Sequence, residues 1–353
     1  MLQRHPFILT LVCLLFISIA CRTAKVSVVP AAVMQEIYEE VKTPYKFGVV
    51  FKHPDSTKMM DSPSIFRWND SWYMTYIIFD GRGYETWLAK SDDLLQWTSS
   101  GRILSFTDAG WDANQKAGYM ALLDTRWEGS YQPAPFRGKY WMSYLGGSSE
   151  GYEAGRLGIG MANTNDPSIP NEWNRLAAPV LSASDSSSRW FEKHTIYKST
   201  VIHDSAKHTG KPFVMFYNAK GDTADYESIG IAHSDDMVHW ERYGKDPVIS
   251  RFRKGTISGD AQIARINNLY VMFYFGAFWN DSHAYDRFAC SYDLIHWTDW
   301  NGENLVAPSE AYDQDYAHKP FVIKWNGVVY HFYNAVGKSG RVIALATSKP
   351  LPK

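Results

Sequence analysis

The stretch Asp61-Ser-Pro-Ser-Ile-Phe-Arg-Trp-Asn-Asp-Ser-Trp-Tyr-Met-Thr-Tyr76, continued after a Gly-rich turn by Trp87-Leu-Ala-Lys-Ser-Asp-Asp-Leu-Leu-Gln-Trp97, decides the fold. Residues 65–68 and 72–78 are β-branched and aromatic runs joined across the polar turn Asn69-Asp70-Ser71. Leu88-Ala89 and Trp97 belong to two further strands separated by Ser91-Asp92-Asp93. Four short strands with turn residues between them make one small antiparallel sheet. A sheet of that size cannot bury its faces alone and needs neighbours of its own kind.

The chain supplies them. A second unit reads Gln132-Pro-Ala-Pro-Phe-Arg-Gly-Lys-Tyr-Trp-Met-Ser-Tyr144, then Leu157-Gly-Ile-Gly-Met-Ala162 and Glu172-Trp173. A third contains Thr200-Val-Ile, Phe213-Val-Met-Phe-Tyr217 and Ile229-Gly-Ile-Ala-His-Ser-Asp-Asp-Met-Val-His-Trp240. A fourth contains Asp260-Ala-Gln-Ile, Leu269-Tyr-Val-Met-Phe-Tyr274 and Phe288-Ala-Cys-Ser-Tyr-Asp-Leu-Ile-His-Trp297. The fifth runs from His318-Lys-Pro-Phe-Val-Ile-Lys-Trp through Val328-Val-Tyr-His-Phe-Tyr333 to Val342-Ile-Ala-Leu-Ala-Thr-Ser348. Five four-strand units recurring at roughly 60-residue intervals predict an all-β, five-bladed β-propeller. One closed body over residues 45–353 is therefore expected, although 353 residues would allow two domains by length alone.

Charged residues make up 21% of the chain and the formal net charge is -1, so there is no basic field for nucleic acid. Aromatics reach 15%, which serves blade cores and sugar-binding faces equally. At the N-terminus Arg4 and His5 precede an apolar run at 7–19 that is too short for a membrane span and suits a signal peptide over residues 1–20. The ending Ser18-Ile19-Ala20-Cys21 resembles a lipobox, which makes Cys21 the expected lipidated residue and gives a bacterial envelope lipoprotein facing the periplasm. The membrane is then touched only through that anchor. Residues 21–44 read as a tether and a short helix, with Met34, Ile37 and Val41 on one stripe. Cys290, alone within a blade strand, reads as a small buried apolar residue. Nothing in the sequence sets an oligomeric state.

The innermost strand of a propeller blade starts at the ligand face, so residues at its start point toward the axis. Aligned on Pro63, Pro133 and Pro320, three blades place Asp61, Tyr131 and His318 at one level, with Ser62, Gln132 and Lys319 beside them. The other two blades contribute Asp260 and Lys198. Such a ring of ionisable groups has little structural purpose.

These features resemble the five-bladed propeller glycosidases of families 43, 117 and 130. The resemblance spans about residues 45–350 and rests on the Asp61 segment, on the blade-start carboxylates, and on the ending Ala-x-Ser-x-Asp-x-x-x-Trp at Ala89, Ala232 and Ala289. It implies hydrolysis of a terminal glycosidic bond of an oligosaccharide, exo-acting and inverting. In an inverting site two carboxyl groups about 6.5–9.5 Å apart leave room for the attacking water. By resemblance Asp61 matches the base and Asp260 a second aspartate. The blade-three acid has no clean counterpart, which leaves Glu192 and His318 as rival proton donors. A phosphorylase like those of family 130 and a non-catalytic glycan-binding propeller are the alternatives. No cofactor is required, and a structural Ca²⁺ in the channel is left open by relatives that hold one.

Comparison of the blades adds Tyr84-Glu85, Tyr152-Glu153, Tyr226-Glu227 and Tyr285-Asp286 before four third strands. The repeat itself explains most of these acids as turn acceptors, with Glu85 and Glu227 kept as site candidates. Trp111, Trp127, Trp190 and Trp279 lie outside the repeat and are candidate stacking rings. Arg126, Lys198 and Lys319 are candidate contacts to hydroxyls or a carboxylate. The insertions at 105–124 and 182–192 are expected to wall the pocket. The scattered histidines, with no Cys pair, give no metal motif.

Overall fold

The computed structural model describes residues 28–55, 57–222 and 225–352, so the expected signal peptide and the expected lipidation at Cys21 lie outside the described residues. Strand pairing forms five antiparallel meanders. The first joins Met59–Trp68, Ser71–Phe79, Tyr84–Ser91 and Thr98–Leu104. The second joins Gln115–Met120, Tyr140–Gly147 and Gly158–Thr164, with the short strands Asn174–Arg175 and Leu181–Ser182 outermost. Thr195–His203, Phe213–Lys220, Glu227–Ser234 and Glu241–Arg242 make the third. Ile257–Ile266, Leu269–Ala277, Ala284–Ser291 and Thr298–Asp299 make the fourth. The fifth takes Tyr316–Trp325, Val328–Gly337 and Gly340–Thr347 from the C-terminus and its outermost strand, Tyr45–Phe51, from the N-terminus. Each innermost strand contacts the innermost strands of both neighbours, and the fifth returns to the first, which closes the ring. Because the last blade is completed by the first strand, the two ends of the propeller are held together by backbone hydrogen bonds and the closed sheet leaves few free edges.

The repeat has a physical basis in two devices. In the ending of blades one, three and four, the residue after Asp93, Asp236 and Asp293 is left-handed (Leu94 φ 69, Met237 φ 67, Leu294 φ 65). The blade tryptophan donates its indole N–H to that residue's carbonyl, at 3.1, 3.0 and 3.0 Å for Trp97, Trp240 and Trp297. The second device is a buried tyrosine in every second strand, Tyr76, Tyr144, Tyr217, Tyr274 and Tyr333. Each hydroxyl has a polar partner, namely Ser99, Asp112, Glu192, Asp299 and Asp313. A buried phenol without such a partner would destabilise its blade by about 1–3 kcal/mol.

One blade differs from the sequence reading. The innermost strand of blade two is Gln115–Met120, inside what reads as an insertion, whereas Pro133 makes only an isolated bridge with Leu123. Its polar start and Gly118 disguise it. The strand is buried on both faces, Lys116 included, and a Cβ at Gly118 would meet the Met142 sulfur at 2.3 Å. Tyr131, expected on the axis, instead bonds the backbone of Lys324 through its hydroxyl (3.0 and 2.9 Å).

The helix Ala31–Val41 buries Met34, Ile37 and Val41 with Val271, Phe273, Phe288, Val322 and Val329, across the seam between blades four and five. Cys290 is fully buried there, and burial pushes its thiol up to about 12.

Candidate active site

In four blades the innermost strand carries a β-bulge at one level, between Asp61 and Ser64, Tyr197 and Ser199, Gly259 and Gln262, and His318 and Phe321. Within each bulge a non-glycine residue takes positive φ: Ser62 (43), Lys198 (22), Asp260 (58) and Lys319 (62). Such backbone is strained by about 1–3 kcal/mol per residue and persists where side chains must be aimed. Blade two has no register shift in its innermost strand.

The bulges bring Asp61, Ser62, Lys198, Asp260 and Lys319 together in one cavity, joined by Glu153, Tyr84, Tyr119 and Tyr197. Above them the cavity widens to about 220 Å³ and takes in Glu227, His318, Tyr152, Phe278, Tyr316 and Arg341. Lys198 lines this cavity and the channel beneath it, with its ammonium 4.0 Å from the Tyr119 ring centre. The floor is therefore closed by a cation against an aromatic face.

The charges are arranged in pairs. Asp61 accepts from Lys319 (2.8 Å) and Arg341 (3.0 Å). Burial opposes its charge, but Lys319 and Arg341 hold the Asp61 carboxyl well below the usual carboxylate range. Asp260 accepts from Asn218 (2.8 Å) and lies 3.5 Å from the Lys198 ammonium. Burial lowers the Lys198 ammonium below the ordinary lysine range, with Asp260 pulling the other way. Burial likewise works against the Lys319 charge, but Asp61 holds it far above that range.

Two carboxyls remain outside these pairs. Burial raises Glu153, whose Oε1 accepts from the Tyr84 hydroxyl at 3.3 Å. Burial and the neighbouring Glu153 push Glu227 up to about 7, with Tyr197 hydrogen-bonded to it. Among the described residues lining the cavity, four carboxyls thus face three cations, and Glu227 is the one best placed to keep its proton at neutral pH.

Several expected site residues lie elsewhere. Glu192 is fully buried between Arg189 (3.2 Å) and Arg242, and accepts from Tyr217 at 2.6 Å. It is blade three's partner for the repeated tyrosine, the counterpart of Asp112 and Asp313, and does not line the cavity. Glu85 faces Arg102 (3.1 Å) and Ser105. Arg126 is exposed and grips Asp124 at 2.8 Å, near the far end of the channel. Trp127 donates to Glu40 at 2.7 Å and stacks on Phe273, so it fastens the helix. Trp279 is core, with its indole on the Ile257 carbonyl at 2.7 Å; its neighbour Phe278 is the ring at the cavity mouth. Trp111 stacks on Tyr144, and Trp190 bonds Asp246. His318 does line the cavity, but burial and then Lys319 depress its imidazole to about 3. Its Nδ1–H donates to the Asn334 carbonyl (3.1 Å), so a neutral ring presents Nε2 as an acceptor and has no proton to give.

A structural Ca²⁺, which the sequence leaves open, does not fit these residues. It needs 6–8 oxygen ligands, whereas both bulge carboxylates already serve Lys319, Arg341 and Lys198.

Glu153 and Arg341 escaped the sequence reading as site residues. The Tyr-acid dipeptides were a signal, but they sit at different registers. Counted along the hairpins, Glu227 pairs with Lys220 at the strand start, where Tyr84 pairs with Phe79 and Ala284 with Ala277. One residue of slip turns a side chain to the other face, so Glu227 enters the cavity and Glu85 does not.

No protein-family model and no curated protein matched the chain. Among solved structures, that of BT0996 in complex with RGII is 48% identical over 92% of this chain and 97% of its own, with a TM-score of 0.90. A second, "Glycoside hydrolase", has the same identity and coverage and a TM-score of 0.89. The chain belongs to the β-propeller glycoside hydrolases. More distantly, an endo-arabinase from Bacteroides thetaiotaomicron VPI-5482 shares the hydrolase's fold, at 15% identity over 85% of this chain and 98% of its own, with a TM-score of 0.59.

Proposed function

We propose that the hydrolase is exo-acting and removes a terminal sugar from an oligosaccharide, with Glu227 as general acid and Glu153 as its partner carboxylate. The observation carrying this reading is the pair of carboxyls raised by burial in a cavity whose other acids are neutralised by cations. A general acid works best with a pKa near the operating pH, and Glu227 at about 7 meets that condition. Asp61 and Asp260 then act as positioning groups that hold Lys319, Arg341 and Lys198 toward substrate hydroxyls. The cavity volume of about 220 Å³ and the cation closing its floor support a single bound ring rather than a glycan passing through. One relative's structure is named as a complex with RGII, and we extend that glycan class to the substrate of this protein.

The proposed course is single displacement with inversion, Glu153 drawing a proton from the attacking water. Aryl glycosides and RGII-derived oligosaccharides, followed by NMR of the product's anomeric proton, test both claims. Retained configuration would make Glu153 a nucleophile that forms a covalent intermediate, and no cleavage at all would leave a glycan-binding propeller. Phosphorolysis would recruit Lys198, Lys319 and Arg341, yet aspartates already engage all three. Product formation should accordingly be independent of phosphate. We also propose attachment to the cell envelope through a lipid on Cys21, which metabolic labelling with a fatty acid would detect and a C21A variant would lose.

A further inference from the structure

Beside the cavity runs a groove of about 560 Å³ that shares Arg341 with it. Val49, Val50, Phe51 and Pro54, where the N-terminal strand leaves blade five, give it an apolar part of its lining. Its charged lining residues are all cations, Lys52, Lys58 and Arg341, with the polar side chains of His53 and Ser339 beside them and no carboxylate among the described lining residues. The nearest acids are engaged. Asp55 folds back onto Thr57 (3.0 Å to its N–H and 2.7 Å to its hydroxyl), and Asp61 stands behind Arg341 at 3.0 Å. Asp80 is 3.7 Å from Lys58, a loose and partly exposed pair. Lys52 is exposed and has no ion pair among the described residues. The His53 ring lies edge-on to Trp87, and its Nδ1 accepts from the Asp55 N–H (3.1 Å), which leaves Nε2 free to face a ligand.

A lining that combines apolar side chains with two lysines suits a sugar ring that offers both a C–H face and a carboxylate. Arg341 reaches from this groove to the Asp61 carboxylate, so a glycan whose terminal ring fills the cavity continues into the groove past the Arg341 guanidinium. We propose that the groove is the leaving-group subsite and binds a uronate, an acidic sugar, through Lys52 and Lys58. The assignment to the leaving group rests on the exo-acting reading above; the affinity for a uronate does not.

Calorimetric titration with trigalacturonate and with its fully methyl-esterified form tests this directly. The acid should bind about tenfold more tightly than the neutral ester, and a K52A/K58A variant should bind the two alike. Equal binding of acid and ester by the native protein, no binding of the acid, or an undiminished preference in the variant would overturn the proposal. A native protein that prefers the acid yet cleaves no glycoside would sink the hydrolytic reading alone.

Discussion

Replacing Glu227 by glutamine exchanges the acidic hydroxyl of the carboxyl for an amide NH2 of similar size and so removes the acid with little else. At pH 6 a carboxyl at its ordinary value of 4.5 is about 3% protonated, whereas Glu227 at about 7 is about nine-tenths protonated. The fold therefore raises the working form of this acid about thirtyfold, and glutamine imitates its neutral shape. Loss of a positioned general acid lowers rates by about 10²–10⁴, which is about 3–5 kcal/mol in the barrier. The variant and native enzymes would be compared on the oligosaccharide and on a dinitrophenyl glycoside, whose leaving group needs no proton. E227Q should lose the full factor on the first and little on the second. The native rate should fall tenfold per pH unit above about 7, and that limb should vanish in E227Q. Equal losses on both substrates, or a loss below tenfold, would refute the assignment. The sign also bears on stability: a raised carboxyl favours the fold below about 4.5 and loses that contribution as pH rises through about 7.

Asp61→Asn strips two buried cations of their counter-charge and should destabilise the fold by about 3–5 kcal/mol, read as a lower urea midpoint, while also lowering kcat/KM. Because the Asp61 carboxyl is depressed in the fold, its contribution is present above about pH 4 and is lost as pH falls further; a native stability curve flat from pH 5 to pH 2 would contradict this. Glu192→Gln breaks the pairs with Arg189 and Arg242 and should cost about 3–5 kcal/mol of stability, yet leave kcat/KM of the folded fraction within about twofold. Trp127→Ala should destabilise the fold by about half of the roughly 3–5 kcal/mol that a core tryptophan costs, read as a lower urea midpoint, without changing hydrolysis, because it fastens the helix far from the cavity.

The fold was legible because each blade repeats the same solutions to the same burial problem. The Ala-x-Ser-x-Asp-x-x-x-Trp ending encodes a left-handed turn and an indole hydrogen bond, and both are local. The blade-start residues Asp61, Lys198, Asp260, His318 and Lys319 were legible for the same reason, since position within a repeat fixes depth along the axis. Blade two was misaligned because Gln115–Met120 looks polar and is nonetheless buried. Glu192 misled because its acidity serves the repeated tyrosine, a pattern visible in Tyr76, Tyr144, Tyr217, Tyr274 and Tyr333 only once every acceptor is known. Glu227 was legible only as one of several repeated acids, since hairpin pairing rather than sequence spacing fixes which face it takes, and Glu153 was obscured because it lies in the turn before Gly158–Thr164, where no strand register assigns its direction.

A crystal structure of E227Q with an uncleaved oligosaccharide tests the central claim most directly. The account predicts the terminal ring in the bulge-lined cavity, with the glycosidic oxygen about 2.6–3.2 Å from the side chain at position 227 and Glu153 facing the anomeric carbon. A glycosidic oxygen beyond reach of that side chain, or a sugar bound outside the cavity, would contradict it.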